Sequence, residues 1–514
     1  MLRLINKSSF HQINKRCCQW SKFSSSKNPE NEGTNIELPV EDPGHKIKRV
    51  MKRDFAFMKK KVMFWKDFKN PAIDENTGRV IDWDDPNAPI FPNYCDIVII
   101  GGGAMGSSIA YWIKKLALRS LNVVVIEKDP TYKQCSTVLS VGGLRQQFSL
   151  EENIEMSLFG AEFLRNINDY LGVEGEPPID VQFQPYGYLS LASTPESAEV
   201  LMKNSELQNE IGAKNTILTA GQLSNKFPWL NTKDIEMGCL GLEKEGWFDP
   251  WTLLNAFKRK AVSLGVDYVK GEAVGFNFKK DSGVMVSGVA PGQFESLNYL
   301  VVRTDDGKLR PIQFSRCIIA AGAGSGDIAK MAKIGLGKDM LSIPLPVEPR
   351  KRFVYCFHAP EGPGLNTPMV IDPSGTYFRR EGLANTYICG RSPDACDEPS
   401  CDNLDVDPTY FEEKIWPTLA HRVKGFENLK VKSSWAGFYE YNKFDENGII
   451  GFHPYHDNII FATGFSGHGI QKAPAVGRAI SELIQYNTYT TINLNRLGFD
   501  RFITNEKMEE NNVW

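Results

Sequence analysis

An apolar run that ends in a cluster of glycines constrains the fold of this chain more than any other feature. Residues 95–106 read CDIVIIGGGAMG, and an uninterrupted apolar run of this length is typical of a parallel strand buried on both faces. Gly101, Gly103 and Gly106 follow with GxGxxG spacing, and a helix is expected over 104–119. The first glycine suits a tight turn, the second allows a pyrophosphate to approach the backbone, and the third allows the helix to pack on the strand.

A second strand and an acidic residue complete this pattern. The apolar stretch 122–126 ends at Glu127, which lies 21 residues after Gly106. A carboxylate at this distance accepts hydrogen bonds from ribose hydroxyls, while the helix N-terminus receives the phosphate charge. A membrane span over 97–113 is the alternative, but three consecutive glycines interrupt it and two lysines follow directly. The sequence therefore predicts a Rossmann-type βαβ unit that binds a dinucleotide.

Glycine-rich segments further along the chain favour FAD over NAD as that dinucleotide. Residues 316–324 are expected to form a strand that opens into glycines. Residues 458–469 form a similar segment, followed by a helix from about 473 to 484. The segments are spread from 95 to 484, which suits a long FAD threaded through one domain better than a compact NAD site.

Three helix starts can be read directly from the sequence. Asp249 followed by Pro250 has the pattern of an N-cap and a first helical residue, and this helix should end before Gly265. Thr194 followed by a proline has the same pattern, and residues 219–222 fit a capping box.

Together these segments resemble the superfamily of D-amino-acid oxidase and of sarcosine and dimethylglycine dehydrogenases, which are FAD enzymes. The resemblance is carried, within residues 94–490, by IIGGGAMGSSIA, VVVIEKD, STVLSVGGLRQQF, EGWFDPWTLL, CIIAAGAGSGDIA, PVEPRKRFVY and ATGFSGHGIQKAPAVGRAISELI. It implies an α/β fold in which a Rossmann-like FAD-binding domain is interleaved with an α+β substrate domain built on a mixed, largely antiparallel sheet. We expect the FAD-binding domain at 94–185, 236–275, 311–335 and 430–490, the substrate domain at 186–235, 276–310 and 336–429, and a C-terminal tail at 491–514.

The resemblance also implies cofactor-binding residues, position by position. They are Gly101, Gly103, Ala104 and Met105 at the pyrophosphate with Gly106 packing the helix, Glu127 and Lys128 at the ribose, Ser136 and Thr137 near the central phosphates and flavin, the backbone of Val274 at the adenine, Ala321 and Gly322 along the cofactor, and Gly464, Phe465, Ser466, Gly467, His468, Gly469 and Ile470 at the pyrimidine side of the flavin. Gly437 stands where sarcosine oxidase has its flavin-linking cysteine. The linking histidine of dimethylglycine dehydrogenase also has no counterpart, so the sequence predicts noncovalent FAD.

If the chain is an enzyme, the resemblance implies oxidation of a C–N bond next to a carboxylate, with hydride transfer to the flavin. Arg145 is the first candidate for binding that carboxylate, because a guanidinium can hold it at two points. The alternative is a surface or phosphate-contacting arginine. His468 is the candidate base, although its flanking glycines also suit contact with the flavin. Weaker candidates for the cation are Arg350, Lys351, Arg352, Arg379 and Arg380. The lysine after the glycine loop of sarcosine oxidase is replaced by Gln471, with Lys472 next.

The resemblance is strongest to a mitochondrial branch of the superfamily that is associated with assembly of respiratory complex I. It implies that complex I subunits or assembly intermediates are partners, beside a small amino-acid-like substrate. Two alternatives stay open. One is a dedicated amine dehydrogenase of the sarcosine or dimethylglycine type. The other is an assembly factor whose FAD only stabilises the fold.

The first part of the chain differs in composition from the rest. Residues 1–28 contain no Asp or Glu but six Lys or Arg, which predicts a mitochondrial transit peptide and a matrix location. A disordered basic tail would have the same composition. Residues 29–93 are expected to form a linker and a basic arm, and 45–70 suits contact with the inner-membrane surface, an acidic partner or the chain's own domain. Over all 514 residues the net charge of −3 excludes a generally basic nucleic-acid binder.

The remaining chemistry-bearing residues give no metal site. The ten cysteines form no CxxC pair, and His453 and His456 lack the paired spacing of a structural zinc site. We therefore expect reduced thiols, surface histidines and no metal.

Overall fold

In a computed structural model, residues 91–117, 120–285, 292 and 294–512 are described, so the predicted transit peptide and all but residues 91–93 of the basic arm lie outside this range. The strands are β1 Tyr94–Ile100, β2 Val123–Glu127, β3 Gly143–Leu144, β4 Tyr188–Ala192, β5 Asn215–Thr219, β6 Met237–Gly241, β7 Gly246–Trp247, β8 Asp267–Lys270, β9 Glu272–Lys280, β10 Glu295–Arg303, β11 Leu309–Ile319, β12 Val347–His358, β13 Met369–Ile371, β14 Tyr377–Glu381, β15 Thr386–Gly390, β16 Lys430–Asn442, β17 Ile449–Phe452 and β18 Ile459–Thr463. The helices are α1 Ala104–Leu116, α2 Ser136–Leu139, α3 Glu151–Arg165, α4 Ile167–Leu171, α5 Pro195–Ile211, α6 Ala220–Lys226, α7 Pro250–Ser263, α8 Ser325–Met331, α9 Pro408–Tyr410, α10 Trp416–Arg422, α11 Ala473–Tyr486 and α12 Asp500–Thr504.

The first sheet contains the predicted βαβ unit. Its strand order is β17-β18-β11-β1-β2-β8, with β10 paired to β11 and β9 paired to β10. Strands β18, β11, β1, β2 and β8 run parallel, and β17, β10 and β9 are antiparallel additions. Ile97 and Ile99 of β1 pack in one core cluster with α1, α7 and α11, whereas Val98 and Ile100 pack in a cluster on the opposite face. Burial on both faces explains the uninterrupted apolar run.

The second sheet has the order β16-β12-β15-β14-β13-β4-β6-β5. All of its neighbouring strands pair antiparallel except β13 and β4. A third core cluster joins this sheet to α6 and α10, with Leu189, Phe353 and Tyr387 among its buried side chains. The predicted fold class, a Rossmann-like unit with a mixed, largely antiparallel second sheet, is therefore confirmed.

Three of the predicted domain segments contain strands that pair in the other sheet. Strands β9 and β10 overlap the range 276–310, assigned to the substrate domain, yet they extend the first sheet through β11. Strands β6 and β16 lie in the segments 236–275 and 430–490 predicted for the FAD-binding domain, yet both belong to the second sheet. Strand partners far away in the chain determine these positions, and local sequence patterns do not reveal them.

The segment expected to be a C-terminal tail is part of the core. Leu494 and Leu497 are fully buried in one cluster, and Phe499 and Phe502 pack in another. Since these apolar side chains leave water on folding, they contribute to stability.

The expectation of surface histidines at 453 and 456 is also wrong. Both side chains are only 1% exposed, and their rings lie 5.7 Å apart between centroids. Burial lowers the pKa of His456 to about 4 and places that of His453 well below its usual value.

The three predicted helix starts are confirmed. Asp249 accepts hydrogen bonds from the N–H groups of Trp251 and Thr252, and the helix ends before Gly265. Thr194 and Thr219 each cap a helix through a capping box. Of the helices in the described ranges, none combines the length and apolar character needed to cross a bilayer.

Candidate functional site

A cavity of about 270 Å³ lies between the loops that follow β1 and β18 and the face of the second sheet. Ten predicted residues line it: Ala104, Met105, Ser136, Thr137, Arg145, Ser466, Gly467, His468, Gly469 and Ile470. The other predicted residues are not part of its lining: Gly101, Gly103, Gly106, Glu127, Lys128, Val274, Ala321, Gly322, Gly464 and Phe465. The second sheet and the segment after β15 add mainly apolar and aromatic side chains, with two arginines and one glutamate.

The glycine-rich turn after β1 leaves no room for side chains. Gly101 has φ +101°, and a Cβ built on it would lie 2.3 Å from the carbonyl oxygen of Ala320. A Cβ on Gly106 would lie 1.9 Å from the carbonyl oxygen of Gly101, so α1 packs directly on the turn. Ala320 precedes the predicted Ala321–Gly322 turn, so two glycine-rich segments meet at this edge of the sheet.

Glu127 is held beside this turn at the end of β2. Its Oε2 accepts a hydrogen bond from the N–H of Gly102 at 2.7 Å, and its Oε1 accepts one from the N–H of Asp129 at 2.8 Å. Burial raises the pKa of this carboxyl. Lys128, in contrast, is paired with Glu272 at 2.7 Å and its side chain is 74% exposed, so it points to solvent.

The predicted phosphate-side residues tie α2 to the start of α1 and to the second sheet. Thr137 Oγ1 accepts a hydrogen bond from the N–H of Ala104 at 3.1 Å, at the N-terminus of α1. Ser136 donates to the carbonyl oxygen of Phe438 on β16. A helix N-terminus with a hydroxyl beside it is suited to phosphate oxygens. Val274 is buried within β9, away from the cavity lining.

The loop after β18 is shaped by left-handed backbone. Gly464, Ser466 and Gly467 have φ values of +77°, +46° and +91°. The N–H of Ser466 donates to the carbonyl oxygen of Glu440 at 2.9 Å, and its Oγ accepts from the N–H of Asn442 at 2.9 Å. Strand β16 therefore holds the glycine loop against the cavity.

The guanidinium of Arg145 is bonded to protein groups, whereas the sequence predicts that it binds the carboxylate of a substrate. Its guanidinium donates to the carbonyl oxygens of Gln147 and Asn512 and lies 4.2 Å from the ring centroid of Phe148. The side chain is only 5% exposed. These contacts join the cavity wall to the end of the described chain, and they do not support the predicted role as a carboxylate clamp or the alternative of a surface arginine.

His468 has protein partners at both ring nitrogens. Nε2 lies 3.3 Å from the carbonyl oxygen of Glu446, and Nδ1 lies 2.6 Å from Nζ of Lys472. Burial, with Lys472 and Arg145 nearby, lowers the pKa of the ring well below its usual value. His468 is therefore neutral and engaged, which does not support a role as the base.

Lys472 lies behind His468, outside the cavity lining. It is fully buried, and its Nζ also donates to Oδ1 of Asn153 at 2.7 Å. Burial lowers the pKa of this amine well below its usual value. The Lys472 side chain therefore contacts protein groups and is not presented to a ligand in the cavity.

Two arginines of the second sheet reach the cavity. Arg352 is fixed by two hydrogen bonds to the carboxylate of Glu398, at 2.8 and 2.9 Å, and by one to the hydroxyl of Tyr439. Among the described residues, Arg391, just after β15, donates a 3.3 Å hydrogen bond to the carbonyl oxygen of Lys414 and lies 3.6 Å from the carboxylate of the exposed Asp394. Arg391 is the more available cation, and sequence reasoning missed it because nothing next to it in the chain marks a site.

Glu440 is a second residue that the sequence reasoning missed. It lines the cavity from β16, and its carboxyl accepts from Thr463 Oγ1 at 2.9 Å and from the N–H of Phe465 at 3.4 Å. Burial raises its pKa to about 7.

Comparison with known proteins identifies the family. A family model described as FAD dependent oxidoreductase matches residues 96–483. The chain belongs to this family. FAD-dependent oxidoreductase domain-containing protein 1 of Xenopus laevis is 51% identical over 439 residues, which cover 84% of this chain and 88% of that protein. The homologue of that protein from Drosophila melanogaster is 50% identical over 429 residues, 82% of each chain. Among solved structures, L-proline dehydrogenase from P. horikoshii has a TM-score of 0.64 at 25% identity, covering 81% of this chain and 100% of that one.

FAD is the cofactor of this family, which confirms the predicted cofactor. The residues present fit it, because the N-terminus of α1 at Ala104, the hydroxyls of Ser136 and Thr137 and the glycine loop after β18 line one cavity. No cysteine belongs to the cavity lining, and a Cβ on Gly437 would lie 3.1 Å from Leu139. Both observations agree with the predicted noncovalent binding.

Proposed function

We propose that this chain oxidises a C–N bond next to the carboxylate of a small amino or imino acid. The observation that carries the proposal is Arg391, a weakly paired guanidinium in the wall of a cavity whose opposite wall is the glycine loop of an FAD family. Bound FAD supplies the acceptor for a hydride equivalent. The likeness to an L-proline dehydrogenase supports this reaction class.

The second sheet suits the rest of such a substrate. Met369 and Ile371 of β13, with Tyr188 and Tyr377 on the strands beside it, form an apolar and aromatic surface in the cavity. An apolar surface excludes water from the carbon that loses hydride and strengthens the attraction between Arg391 and a carboxylate. Arg352 cannot take this role without giving up Glu398, so we assign it to positioning Tyr439.

Substrate reduction of the flavin tests the proposal. The FAD-loaded protein is mixed anaerobically with sarcosine, dimethylglycine, L-proline or D-amino acids, and loss of the visible flavin absorbance is followed. Arg391→Met should raise the KM of a reactive substrate by about 10–100-fold, because a charged hydrogen bond contributes about 1.5–3 kcal/mol. The matched control Arg303→Met removes an arginine that is 52% exposed and distant from the cavity lining, and it should leave KM unchanged.

Absence of reduction by every amine would count against the reaction class. Equal KM values for Arg391→Met and the native chain, with a substrate that does reduce the flavin, would count against Arg391 alone. The two parts of the proposal are therefore tested separately.

We also propose a mitochondrial matrix location, with peripheral contact to the inner membrane and a role in assembling respiratory complex I. The N-terminal composition and the resemblance that predicted this role support it, and its partners would be complex I subunits or assembly intermediates. Cells that lack the protein would be complemented with the native chain or with Arg391→Met. If both chains restore complex I, the assembly role is independent of substrate turnover. If the native chain alone restores it, complex I assembly depends on turnover.

A further inference from the structure

In the part of the chain that the structure describes, one carboxyl group of the cavity wall has no charged partner. Glu440 lies on β16 where the end of β18 and the turn after β11 meet it. Its partners are the hydroxyl of Thr463 and the N–H groups of Phe465 and Gly464, all neutral, and no ion pair to it is formed within the described ranges. Thr463 Oγ1 also lies 2.8 Å from Oγ of Ser325, so hydroxyl groups surround this side of the carboxyl.

The charged groups on the neighbouring elements are directed elsewhere. On β12, Arg350 is paired with Glu348 at 2.8 Å and lies over the ring of Tyr441, while Arg352 is paired with Glu398. On the strand of Glu440 itself, Tyr439 and Tyr441 contact those two arginines.

The glycine loop and the turn after β11 complete these surroundings. His468 is bonded to Lys472 and to the carbonyl oxygen of Glu446. The turn offers the hydroxyl of Ser325 and the backbone of Gly322. A Cβ on Gly322 would lie 3.8 Å from Oε2 of Glu440, so the carboxyl reaches the turn that the family pattern places along FAD.

We propose that Glu440 is the proton-holding residue of the FAD site. Its carboxylate takes one proton from solvent, forming an O–H bond, when the bound cofactor gains two electrons from a reductant, and it returns that proton when the electrons leave. The physical reason is that new negative charge beside a carboxylate disfavours its ionised form. A ligand that displaces water from the cavity acts in the same direction.

The pH range in which Glu440 takes up this proton follows from the direction of its pKa shift, because reduction raises the pKa. Burial, partly offset by the hydrogen bonds to this carboxyl, raises the pKa of Glu440 to about 7, so below this pH the carboxyl is protonated before and after reduction. Above it the carboxyl is ionised in the oxidised protein and protonated in the reduced one. One extra proton per two electrons therefore enters above about pH 7, up to the pKa of the reduced state.

The midpoint potential of the full-length, FAD-loaded protein tests this inference. It is measured with dithionite between pH 5.5 and 9 for the native chain and for Glu440→Gln. Above about pH 7 the native potential should fall more steeply by about 30 mV per pH unit, the value of a tenfold change for a two-electron couple. Glu440→Gln should lack this extra slope. Glu348→Gln removes a solvent-side carboxylate from the adjacent strand and should behave as the native chain.

A second measurement keeps the inference testable if Glu440→Gln does not retain FAD. Infrared difference spectra of the native protein should gain a carboxylic C=O band on reduction at pH 8, and the band should shift in heavy water. Equal potential slopes in the native chain and Glu440→Gln, or no such band in the native protein, would overturn the inference. The inference depends on the FAD site of the proposed function but not on its substrate, because dithionite is the reductant, and failure of amine turnover would leave this test intact.

Discussion

The two walls of the cavity recognise their ligands in different ways. The wall from the first sheet is formed by the loops after β1 and β18, with Gly467 at positive φ, and close backbone contacts behind it, such as that between Gly101 and Ala320, support it. The wall from the second sheet is formed by side chains, and its arginines differ chiefly in how firmly other residues pair with them. Cofactor binding therefore depends on local sequence, whereas substrate binding depends on residues that long-range strand pairing brings together.

The sharpest test of the backbone wall is Gly106→Ala. A Cβ at this position would lie 1.9 Å from the carbonyl oxygen of Gly101, so α1 must move away from the turn. We expect loss of bound FAD, measured as flavin absorbance per protein after gel filtration, with a lowered Tm. The matched control is Gly221→Ala in α6, where a Cβ meets nothing within 4 Å.

Gly221→Ala should keep FAD and gain about 0.4–1 kcal/mol of stability, because alanine reduces the freedom of the unfolded chain. Full FAD content in Gly106→Ala would contradict a wall that depends on close backbone contact.

A second prediction concerns side chains behind the glycine loop. Glu510 accepts hydrogen bonds from the N–H and hydroxyl of Ser149 at 2.6 Å each, from the N–H of Leu150 at 3.2 Å and from Nδ2 of Asn153 at 2.8 Å. Glu510→Gln places an amide NH₂ against these donors, so we expect a loss of about 2–4 kcal/mol in the free energy of unfolding. Urea unfolding measures the loss.

Glu509→Gln is the matched control one residue earlier. Its carboxylate is exposed and paired with Lys507 at 3.0 Å, and an exposed pair contributes about 0–1 kcal/mol. Equal stabilities of the two variants would show that the segment containing Glu510 is not anchored by this carboxylate.

The contrast between the walls also explains what could be predicted from the sequence. The turn at Gly101, the cap at Asp249 and the glycine loop after β18 each depend on residues within a few positions of one another, and the structure contains them. The environment of Arg145 could not be predicted, because its partner Asn512 lies 367 positions away. Arg391 reaches the cavity only through the pairing of β15 with β12 and β14, which no local pattern encodes.

A third prediction uses pH on a buried carboxyl that contacts the backbone of Tyr188, a residue of the side-chain wall. Glu245 is 3% exposed, accepts from the N–H of Gln146 and from Nε2 of Gln147, and has its pKa raised by burial to about 7. The folded chain holds this proton more tightly than the unfolded chain does. The contribution of Glu245 to the free energy of unfolding is therefore fully present below the unfolded pKa of 4.5, and it is lost as the pH rises through about 7.

Glu245→Gln should therefore flatten this dependence. Between pH 5 and 7.5 the native chain should lose about 2 kcal/mol more unfolding free energy than the variant, at 1.36 kcal/mol per unit of pKa shift. Urea unfolding at the two pH values measures the difference. A parallel pH dependence in both proteins would mean that Glu245 is ionised in the folded chain.

The prediction with the smallest expected effect concerns the helix cap at Thr194. It tests whether a local sequence feature stabilises the second sheet, which forms the side-chain wall. Thr194 caps α5, which packs beside β4 and β6 of the second sheet, and its Oγ1 accepts from the N–H of Ser197 at 3.2 Å. Thr194→Ala should cost about 1 kcal/mol because it leaves a helix N–H without its partner. Thr232→Ala, in a turn that starts no helix, is the control and should cost less. Since the cap acts on an exposed helix end, its loss should lower unfolding free energy in urea without changing FAD content. A loss of FAD in Thr194→Ala would instead couple the second sheet's local stability to the backbone wall.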